Sequence, residues 1–344
     1  MHGRKKIRVL VVDDSILFRE VLSRGISSDL HIEVVATASD PFEARDKIIQ
    51  YRPDVMTCDV EMPKMNGIEF IRRLLPQYPL PVIVVSTMNG VVFDALNAGA
   101  VDFVGKPDVQ SPSSVEKFIH EMIAKIKIAA NAKVPKRKTD NFLPKIEQGS
   151  NLNPSINIIA IGASTGGTEA LHSILKVLPP NIPGIVVVQH IPPGFSRMFA
   201  ERLNSTTSLD VKEAQTGDYV EKGRVLIAPG DRHMKIRKHG DHYTVECFEG
   251  VKVNGHCPSV DILFESVAKV AGPKAIGIIL TGMGYDGTKG LLAMRRSGAR
   301  TIGQDEHSSV VYGMPKVAFN IGAVEKQLPL ERIAENIYSL LSNR

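Results

Sequence analysis

The sequence Arg8-Val9-Leu10-Val11-Val12-Asp13-Asp14 sets two carboxylates directly after a short apolar run. A run of this length, rich in valine, predicts a strand buried on both faces of a parallel sheet. Three later runs also end in polar residues: Val55-Met56-Thr57-Cys58 precedes Asp59, Val82-Ile83-Val84-Val85 precedes Ser86-Thr87, and Phe103-Val104-Gly105 precedes Lys106. The carboxyl ends of parallel strands lie at one edge of a sheet, so we expect these polar side chains to share one crevice.

Three carboxylates, one hydroxyl and one lysine in that crevice indicate a definite chemistry. Clustered carboxylates repel one another unless a hard cation lies among them, and Mg²⁺ favours carboxylates together with water and phosphate oxygens. A lysine and a threonine beside them suit an incoming phosphoryl group. Any one of these residues alone would more often be a helix cap or a turn former. Their presence at four successive strand ends favours a phosphoryl-accepting site.

The alternation of strands and helical patterns over residues 1–130 predicts a doubly wound α/β domain of about five strands. Residues 7–125 resemble the receiver domain of two-component response regulators, with matches at Asp13, Asp14, Asp59, Thr87 and Lys106. The resemblance implies a flavodoxin-like fold and phosphorylation of Asp59 by a histidine kinase. It also implies that Mg²⁺ is held by Asp13, Asp14 and Asp59. The implied conformational switch residues are Thr87, Phe103 and Lys106.

Length and composition restrict the class of protein. A chain of 344 residues suggests about two domains. No apolar run reaches the roughly 18 residues that span a bilayer, and residues 1–6 lead into a strand rather than a signal-peptide core, so we expect a cytoplasmic protein without membrane insertion. Cys58, Cys247 and Cys257 lack the number and spacing of a disulfide framework or a zinc site. The net charge is +5, but without a basic stretch interleaved with aromatics or a helix-turn-helix pattern we expect no nucleic-acid partner.

The second half of the chain repeats the architecture but not the sequence of the first. Residues 131–153 are basic, contain proline and asparagine, show little periodicity and are predicted to be a linker. Strands and helices alternate again over residues 154–344, which predicts a Rossmann-like parallel-sheet domain. Residues 233–237 and 242–248 interrupt this alternation and are predicted to form a β-hairpin across 238–241. The predicted fold class is therefore α/β, with two doubly wound domains and one hairpin insertion.

A glycine-rich turn in this second domain indicates chemistry. The run Gly162-Ala163-Ser164-Thr165-Gly166 fits G-x-S-x-G, in which small residues let a strand turn sharply into a helix and present the serine. Such a turn is also a phosphate cradle, and a serine there can cap the helix, so the motif alone leaves both interpretations open. His190 follows the strand at 184–189, and Asp286 lies in a loop after the strand at 276–280. We therefore predict a nucleophile, base and orienting carboxylate at one sheet edge, in a chain order unlike that of α/β-hydrolases.

Residues 155–344 resemble the catalytic domain of the chemotaxis protein-glutamate methylesterases, on segments 161–167, 189–193, 228–230, 258–261 and 280–287. The resemblance implies hydrolysis of glutamate γ-methyl esters on methyl-accepting chemotaxis receptors, deamidation of glutamines there, and the histidine kinase of the chemotaxis pathway as phosphodonor. It implies Ser164 as nucleophile, His190 as base and Asp286 as its orienter. It further implies a Thr165 hydrogen bond to His190, a Met283 backbone N–H for the oxyanion, and no cofactor for ester hydrolysis. Cys257 departs from the family pattern, which has a basic residue there.

The competing interpretation is a response regulator whose second domain binds an anion or a nucleic acid without catalysis. Such a protein would need neither His190 nor Asp286 at the strand ends. The resemblance also implies a form of regulation, in which the unphosphorylated receiver obstructs access to Ser164.

Overall fold

The computed structural model describes residues 5–87, 90–108, 110–134 and 156–342. The chain divides into two compact units, residues 1–139 and 140–344. This division falls within the predicted linker, which lies from residue 135 onward outside the described residues. The domain limits at residues 130 and 154 therefore stay predictions. In the described part of the chain, no helix is long and apolar enough to cross a membrane.

The first unit alternates strands and helices, and all of its strand pairs are parallel. Its elements are β1 (Ile7–Val12), α1 (Ile16–Ser27), β2 (Ile32–Ala38), α2 (Pro41–Tyr51), β3 (Val55–Asp59), α3 (Gly67–Leu74), β4 (Val82–Ser86), α4 (Val91–Asn97), β5 (Asp102–Gly105) and α5 (Pro112–Ala129). The sheet order β2-β1-β3-β4-β5 is that of the flavodoxin-like fold. The predicted fold class is confirmed for this half of the chain.

Local sequence accounts for where these elements begin and how they are buried. Strands β3 and β4 are buried along their whole length, as continuous apolar runs predict. Helix α1 begins after Ser15, whose Oγ accepts the Phe18 N–H at 3.3 Å. Helix α5 begins at Pro112. Ser111 caps it, and Pro112 suits the first turn because it has no N–H to satisfy.

The second unit is built on a seven-stranded parallel sheet. Its elements are β6 (Ile158–Ala163), α6 (Gly167–Leu175), β7 (Gly184–Gln189), α7 (Phe195–Thr206), β8 (Asp210–Glu213), β9 (Arg224–Ile227), β10 (His233–His239), β11 (His242–Phe248), α8 (Val260–Ala271), β12 (Ala275–Ile279), α9 (Thr288–Arg296), β13 (Arg300–Gln304), α10 (Met314–Asn320), β14 (Lys326–Leu328) and α11 (Leu330–Leu341). The sheet order is β14-β13-β12-β6-β7-β9-β8. Strand β6 is central, and the connections reverse direction on its two sides, which is where doubly wound folds bind ligands.

The hairpin insertion is confirmed, but its turn is shorter than the predicted 238–241. Strand β10 continues to His239 and β11 begins at His242, so only Gly240 and Asp241 form the turn. Gly240 has φ +58°, which glycine adopts without steric cost. Buried apolar residues of the hairpin, including Met234 and Val245, join those of α8 and the sheet in one core.

Candidate phosphorylation and active sites

Three carboxylates meet at the carboxyl edge of the first sheet. Asp13 and Asp14 follow β1, Asp59 ends β3, and ligand oxygens of the three lie within 4.8 Å of one another. Asp13 Oδ1 accepts the Ser15 N–H at 2.9 Å, but the buried Oδ2 accepts no hydrogen bond from the described residues. A buried carboxylate oxygen without a well-formed hydrogen bond, beside two more carboxylates, suits a hard divalent cation. The residues at this edge therefore fit the Mg²⁺ that the sequence predicts.

Lys106 offsets part of this negative charge. Its Nζ lies 2.7 Å from Asp59 Oδ2 and 3.3 Å from Asp13 Oδ2. Burial raises the pKa of Asp13 and of Asp59, although Lys106 works in the opposite direction. Burial alone would lower the pKa of Lys106, but its hydrogen bond to Asp59 and the two carboxylate charges raise it. The ammonium is therefore charged at neutral pH, and a further cation would favour the ionised carboxylates.

The two other predicted switch residues lie on neighbouring strands. Thr87 is exposed and directly follows β4, whereas Phe103 lies in β5 and is 4% exposed. The Phe103 ring packs edge-on against Phe93 of α4 at 6.2 Å, and Lys125 Nζ lies 5.1 Å from its centroid. Thr87 is thus at the same edge as Asp59, and Phe103 is a packed core residue. Their part in a switch stays a prediction.

Ser164 lies in a tight turn between β6 and α6. Its N–H donates to the Thr281 carbonyl at 3.0 Å, and its carbonyl accepts the Gly167 N–H at 2.7 Å and Gln189 Nε2 at 2.9 Å. These bonds fix the backbone while the side chain stays half exposed and makes no hydrogen bond to the described residues. Helix α6 has no side-chain cap. The alternative in which the serine only caps the helix is therefore wrong.

Two glycines make this turn possible. Gly166 has φ +76°, in the left-handed region that favours glycine. A Cβ on Gly167 would lie 2.2 Å from Gln189 Oε1 and 2.7 Å from Ala163 Cβ. Gln189 also holds the Ser164 carbonyl, so a larger residue at 167 would displace the group that fixes the serine.

Strand register brings His190 next to the serine. Ala163 pairs with Gln189 at the ends of β6 and β7, and the His190 N–H donates to the Ala163 carbonyl at 3.0 Å. His190 Nε2 lies 2.9 Å from Asp286 Oδ2. His190 Nδ1 is buried and has no hydrogen-bond partner among the described residues. The structure thus brings His190 into contact with Asp286 beside the turn that carries Ser164, and it leaves Nδ1 as the ring nitrogen not used by Asp286.

Asp286 receives hydrogen bonds from donors that the sequence did not identify. Its Oδ2 accepts the Val260 N–H at 2.7 Å, in addition to His190. Its Oδ1 accepts Ser259 Oγ and Asn254 Nδ2, both at 2.8 Å, and the Asp261 N–H at 3.4 Å. Burial alone would raise the pKa of Asp286, but the bond from His190 and the other donors hold it far below its usual value. The carboxylate is therefore ionised and fixed at neutral pH.

The loop that begins at Thr281 lies against the serine. A Cβ on Gly282 would lie 2.5 Å from Ser164 Cβ, so this backbone contacts the turn directly. The next residue, Met283, has a half-exposed side chain and an N–H that donates to none of the described residues. Thr165 is buried, and its carbonyl accepts Thr281 Oγ1 at 3.0 Å. The role of the Met283 N–H toward an oxyanion and the bond from Thr165 to His190 both stay predictions.

Cys257 lies in the segment that leads into α8 and is partly buried. Burial raises the pKa of its thiol above the usual value. The side chain is therefore neutral at pH 7 and carries no positive charge.

Both halves of the chain match known family models. Residues 159–337 match the CheB methylesterase family, and residues 9–112 match the response regulator receiver domain. The chain belongs to the CheB methylesterase family. Both matches agree with the folds described above, including the parallel sheets that carry the two sites.

Relatives over the whole chain carry one shared name. A protein-glutamate methylesterase/protein-glutamine glutaminase of Syntrophomonas wolfei is 58% identical over 98% of this chain and 98% of its own length. The enzyme of that name from Salmonella typhimurium is 45% identical over 98% of this chain and 97% of its own length. The crystal structure of the Thermotoga maritima CheB methylesterase catalytic domain is 41% identical, with a TM-score of 0.53 over 54% of this chain and 98% of that domain. The competing non-catalytic output domain finds no support in these relatives.

Proposed function

We propose that this chain is a phosphorylation-activated serine esterase that hydrolyses glutamate γ-methyl esters on methyl-accepting chemotaxis receptors and deamidates glutamines there. The curated relatives, which it matches over nearly their whole length, are named for both activities. The proposed nucleophile is Ser164, the general base is His190, and Asp286 orients the base. The second unit performs the hydrolysis, and the first unit regulates it.

One observation carries this proposal. Asp286 binds His190 through Nε2, and the opposite ring nitrogen, Nδ1, is buried without a hydrogen-bond partner among the described residues, while the backbone N–H of His190 is bonded to Ala163, the neighbour of the partly exposed Ser164. Burial of an unpaired polar atom costs about 1 to 3 kcal/mol. A general base needs a basic nitrogen within reach of the proton that it takes, and catalytic hydrogen bonds are often long before substrate binds. The pairing also fixes the tautomer, because the ionised Asp286 accepts the Nε2–H and leaves the lone pair on Nδ1.

The reaction follows from these positions. His190 Nδ1 takes the Ser164 proton as Oγ attacks the ester carbonyl carbon, and the carbonyl oxygen becomes an oxyanion. The backbone N–H of Met283 and the N-terminus of α6 hold this oxyanion. Each such hydrogen-bond donor typically raises the rate by about 10² to 10³. The imidazolium returns its proton to the methoxide, which leaves as methanol. Water then attacks the acyl-enzyme with Nδ1 again as base, which yields glutamate and restores the serine; a glutamine side chain loses ammonia instead. In this proposal no cofactor takes part in the hydrolysis.

The receiver site fits phosphoryl transfer from the histidine kinase of the chemotaxis pathway, a reaction that we place in the cytoplasm. A carboxylate oxygen of Asp59 attacks the phosphorus of the kinase's phosphohistidine, the P–N bond breaks as the kinase histidine leaves, and an acyl phosphate forms on Asp59. Asp13, Asp14 and Asp59 would hold Mg²⁺, which when bound offsets the charge of the phosphoryl oxygens. Lys106 is charged and paired with Asp59 at rest, and it would then bind a phosphoryl oxygen.

Activation requires only a small difference between two states of the receiver. Thr87 lies at the edge that carries Asp59, and Phe103 lies in the adjacent strand β5. We propose that a phosphoryl group on Asp59 draws Thr87 inward and that Phe103 repacks. The receiver then no longer obstructs access to Ser164. A tenfold activation corresponds to about 1.4 kcal/mol of differential stabilisation.

The test is methanol release from a purified chemoreceptor signalling fragment that carries glutamate methyl esters. We expect release by the full chain, an increase with acetyl phosphate and Mg²⁺, and loss of release in Ser164→Ala. A Ser205→Ala variant is the matched control, because Ser205 is exposed in α7 and bonds only a carbonyl of its own helix. Substantial release by a folded Ser164→Ala variant would rule out the serine mechanism.

A further inference from the structure

A tight turn next to the proposed active site has no role in the mechanism above. In the 253–256 turn, the N–H groups of Val253 and His256 each donate to the other residue's carbonyl at 2.9 Å. The two central residues, Asn254 and Gly255, have φ +53° and +86°. Asn-Gly is the preferred pair for a two-residue turn with both residues in the left-handed region. The side chains of Asn254 and His256 project from this turn to two different members of the proposed catalytic set.

Asn254 connects two buried carboxylates. Its Nδ2 donates to Asp286 Oδ1 and to Asp261 Oδ2, at 2.8 Å each. Both N–H bonds of the amide are thus used, and each serves a different acid. Asp261 is itself fixed, because its Oδ1 accepts the Gly290 N–H at 2.7 Å. Asn254 therefore ties Asp286 to a carboxylate that is anchored on α8 and α9.

His256 restrains the imidazole. Its ring stacks on that of His190 with centroids 3.7 Å apart and planes within 8°. Burial, together with the nearby charge of His190, lowers the pKa of His256 to about 4, against the opposing effect of Asp286. At neutral pH His256 is thus an uncharged flat surface, which can stack on His190 in either protonation state without adding a second positive charge.

We propose that the 253–256 turn positions the catalytic pair: Asn254 fixes the Asp286 carboxylate, and His256 fixes the plane of the His190 ring so that Nδ1 faces Ser164. The inference rests on the proposed esterase function. Neither residue gains or loses a proton or forms a bond in the mechanism, so both act through the groups that they hold. A purely structural role would instead alter the stability of the folded protein and leave kcat of the folded fraction unchanged.

Substitutions of His256 distinguish the contribution of its flat ring from the contribution of its nitrogen atoms. In the full-length protein we expect His256→Ala to lower kcat for methanol release from the methylated receptor fragment by about 10²-fold, with KM within twofold, because small displacements of a catalytic group have effects of this size. His256→Phe keeps a stacking ring and should recover most of the lost kcat. His239→Ala, at an exposed position in the same unit, is the control. If His256→Ala fails to fold, His256→Leu replaces it, since leucine fills the space without a flat face.

Asn254 is tested without backbone strain by Asn254→Gly, because glycine accepts φ +53°. We expect kcat to fall at least tenfold with KM nearly unchanged. Asn254→Asp retains the shape but adds a third carboxylate beside Asp261 and Asp286, so a larger loss is expected. In proton NMR of the full chain, the His190 Nε2–H resonance should shift in Asn254→Gly and stay in place in His239→Ala.

The outcomes distinguish the positioning role of the 253–256 turn from the proposed esterase function. Wild-type kcat in folded His256→Ala and Asn254→Gly, with an unmoved Nε2–H resonance, would overturn the positioning role while leaving the esterase intact. Failure of the wild-type protein to release methanol would overturn the proposed function. The NMR measurement would still decide whether the turn restrains the His190–Asp286 pair.

Discussion

Replacement of Asp286 by Asn is the most direct perturbation of the proposed active site. Asn preserves the shape of the side chain but changes one carboxylate oxygen into an NH₂ donor. Two donors face Oδ2, and three face Oδ1. If the NH₂ group takes the place of Oδ2, His190 can change tautomer and accept from it, but the buried Val260 N–H loses its acceptor. At about 1 to 3 kcal/mol for a donor left unpaired, the free energy of unfolding should fall by about 1 to 3 kcal/mol. Since domains are stable by about 5 to 15 kcal/mol, the variant should fold but be measurably weakened.

The loss of activity should exceed what this destabilisation explains. The asparagine side chain of this variant has no negative charge facing His190 Nε2, so the imidazole proton is no longer held on Nε2. The tautomer with its proton on Nδ1 cannot act as base toward Ser164. The corresponding change in serine proteases lowers kcat about 10⁴-fold through the wrong tautomer, and we expect a loss of that order. KM should change little, because the receptor does not contact Asp286 in this mechanism.

The pH dependence of stability gives a second signature of Asp286. Its folded-state pKa is lowered, so its stabilising contribution is fully present above the unfolded-state pKa of about 3.9 and is lost as pH falls toward the lower folded-state pKa. The stability difference between wild type and Asp286→Asn should therefore be constant from about pH 6 to 9 and shrink below about pH 4. Urea unfolding followed by circular dichroism, paired with methanol release, measures both quantities. A difference that does not shrink in acid, or activity within tenfold of wild type, would refute the reasoning.

Three further predictions concern the two sites and their regulation. Ser164→Ala and the double variant with His190→Ala should be about equally inactive, since residues that act as a unit are not additive; a clear additional loss in the double variant would contradict a shared step. Acetyl phosphate with Mg²⁺ should label wild type but not Asp59→Asn, detected by the mass of the intact protein, and undiminished labelling of the variant would move the site elsewhere. The fragment 154–344 should release methanol faster than the unphosphorylated full chain and ignore acetyl phosphate; slower release would mean that the receiver contributes positively.

Residues at strand ends could be predicted from the sequence because parallel strands direct them to one place. Asp13 and Asp59, and likewise His190 and Asp286, come from distant parts of the chain and meet as expected. The contact of Asn254 with Asp286 was not predicted. Asn254 comes from the loop between the hairpin and α8, where no periodicity of the sequence shows what the loop packs against. An Asn-Gly pair is typical of a tight turn, although no turn was predicted at Asn254-Gly255. It could not indicate that the turn lies over the catalytic pair.

Elements at the rim of the sheets were harder to predict than those at the centre. Strands β8 and β14 have four and three residues and lie at the two edges of the second sheet, so their sequences lack the continuous apolar runs of β6 and β7. Strand β2 is an edge strand with a mixed burial pattern, for the same reason. Short edge strands are defined by the neighbour that they pair with, which is a tertiary property.

The two sites lie at the same kind of sheet edge but balance the charge of their carboxylates in different ways. In the first unit, Asp13 Oδ2 has the Lys106 ammonium 3.3 Å away and no well-formed hydrogen bond among the described residues. In the second unit, Asp286 receives five hydrogen bonds, which occupy the lone-pair positions that a cation would need. Carboxylates short of donors favour a divalent cation, and a saturated carboxylate favours the imidazole that it already holds. The loops that follow the strands, rather than the shared architecture, therefore decide which chemistry each edge performs.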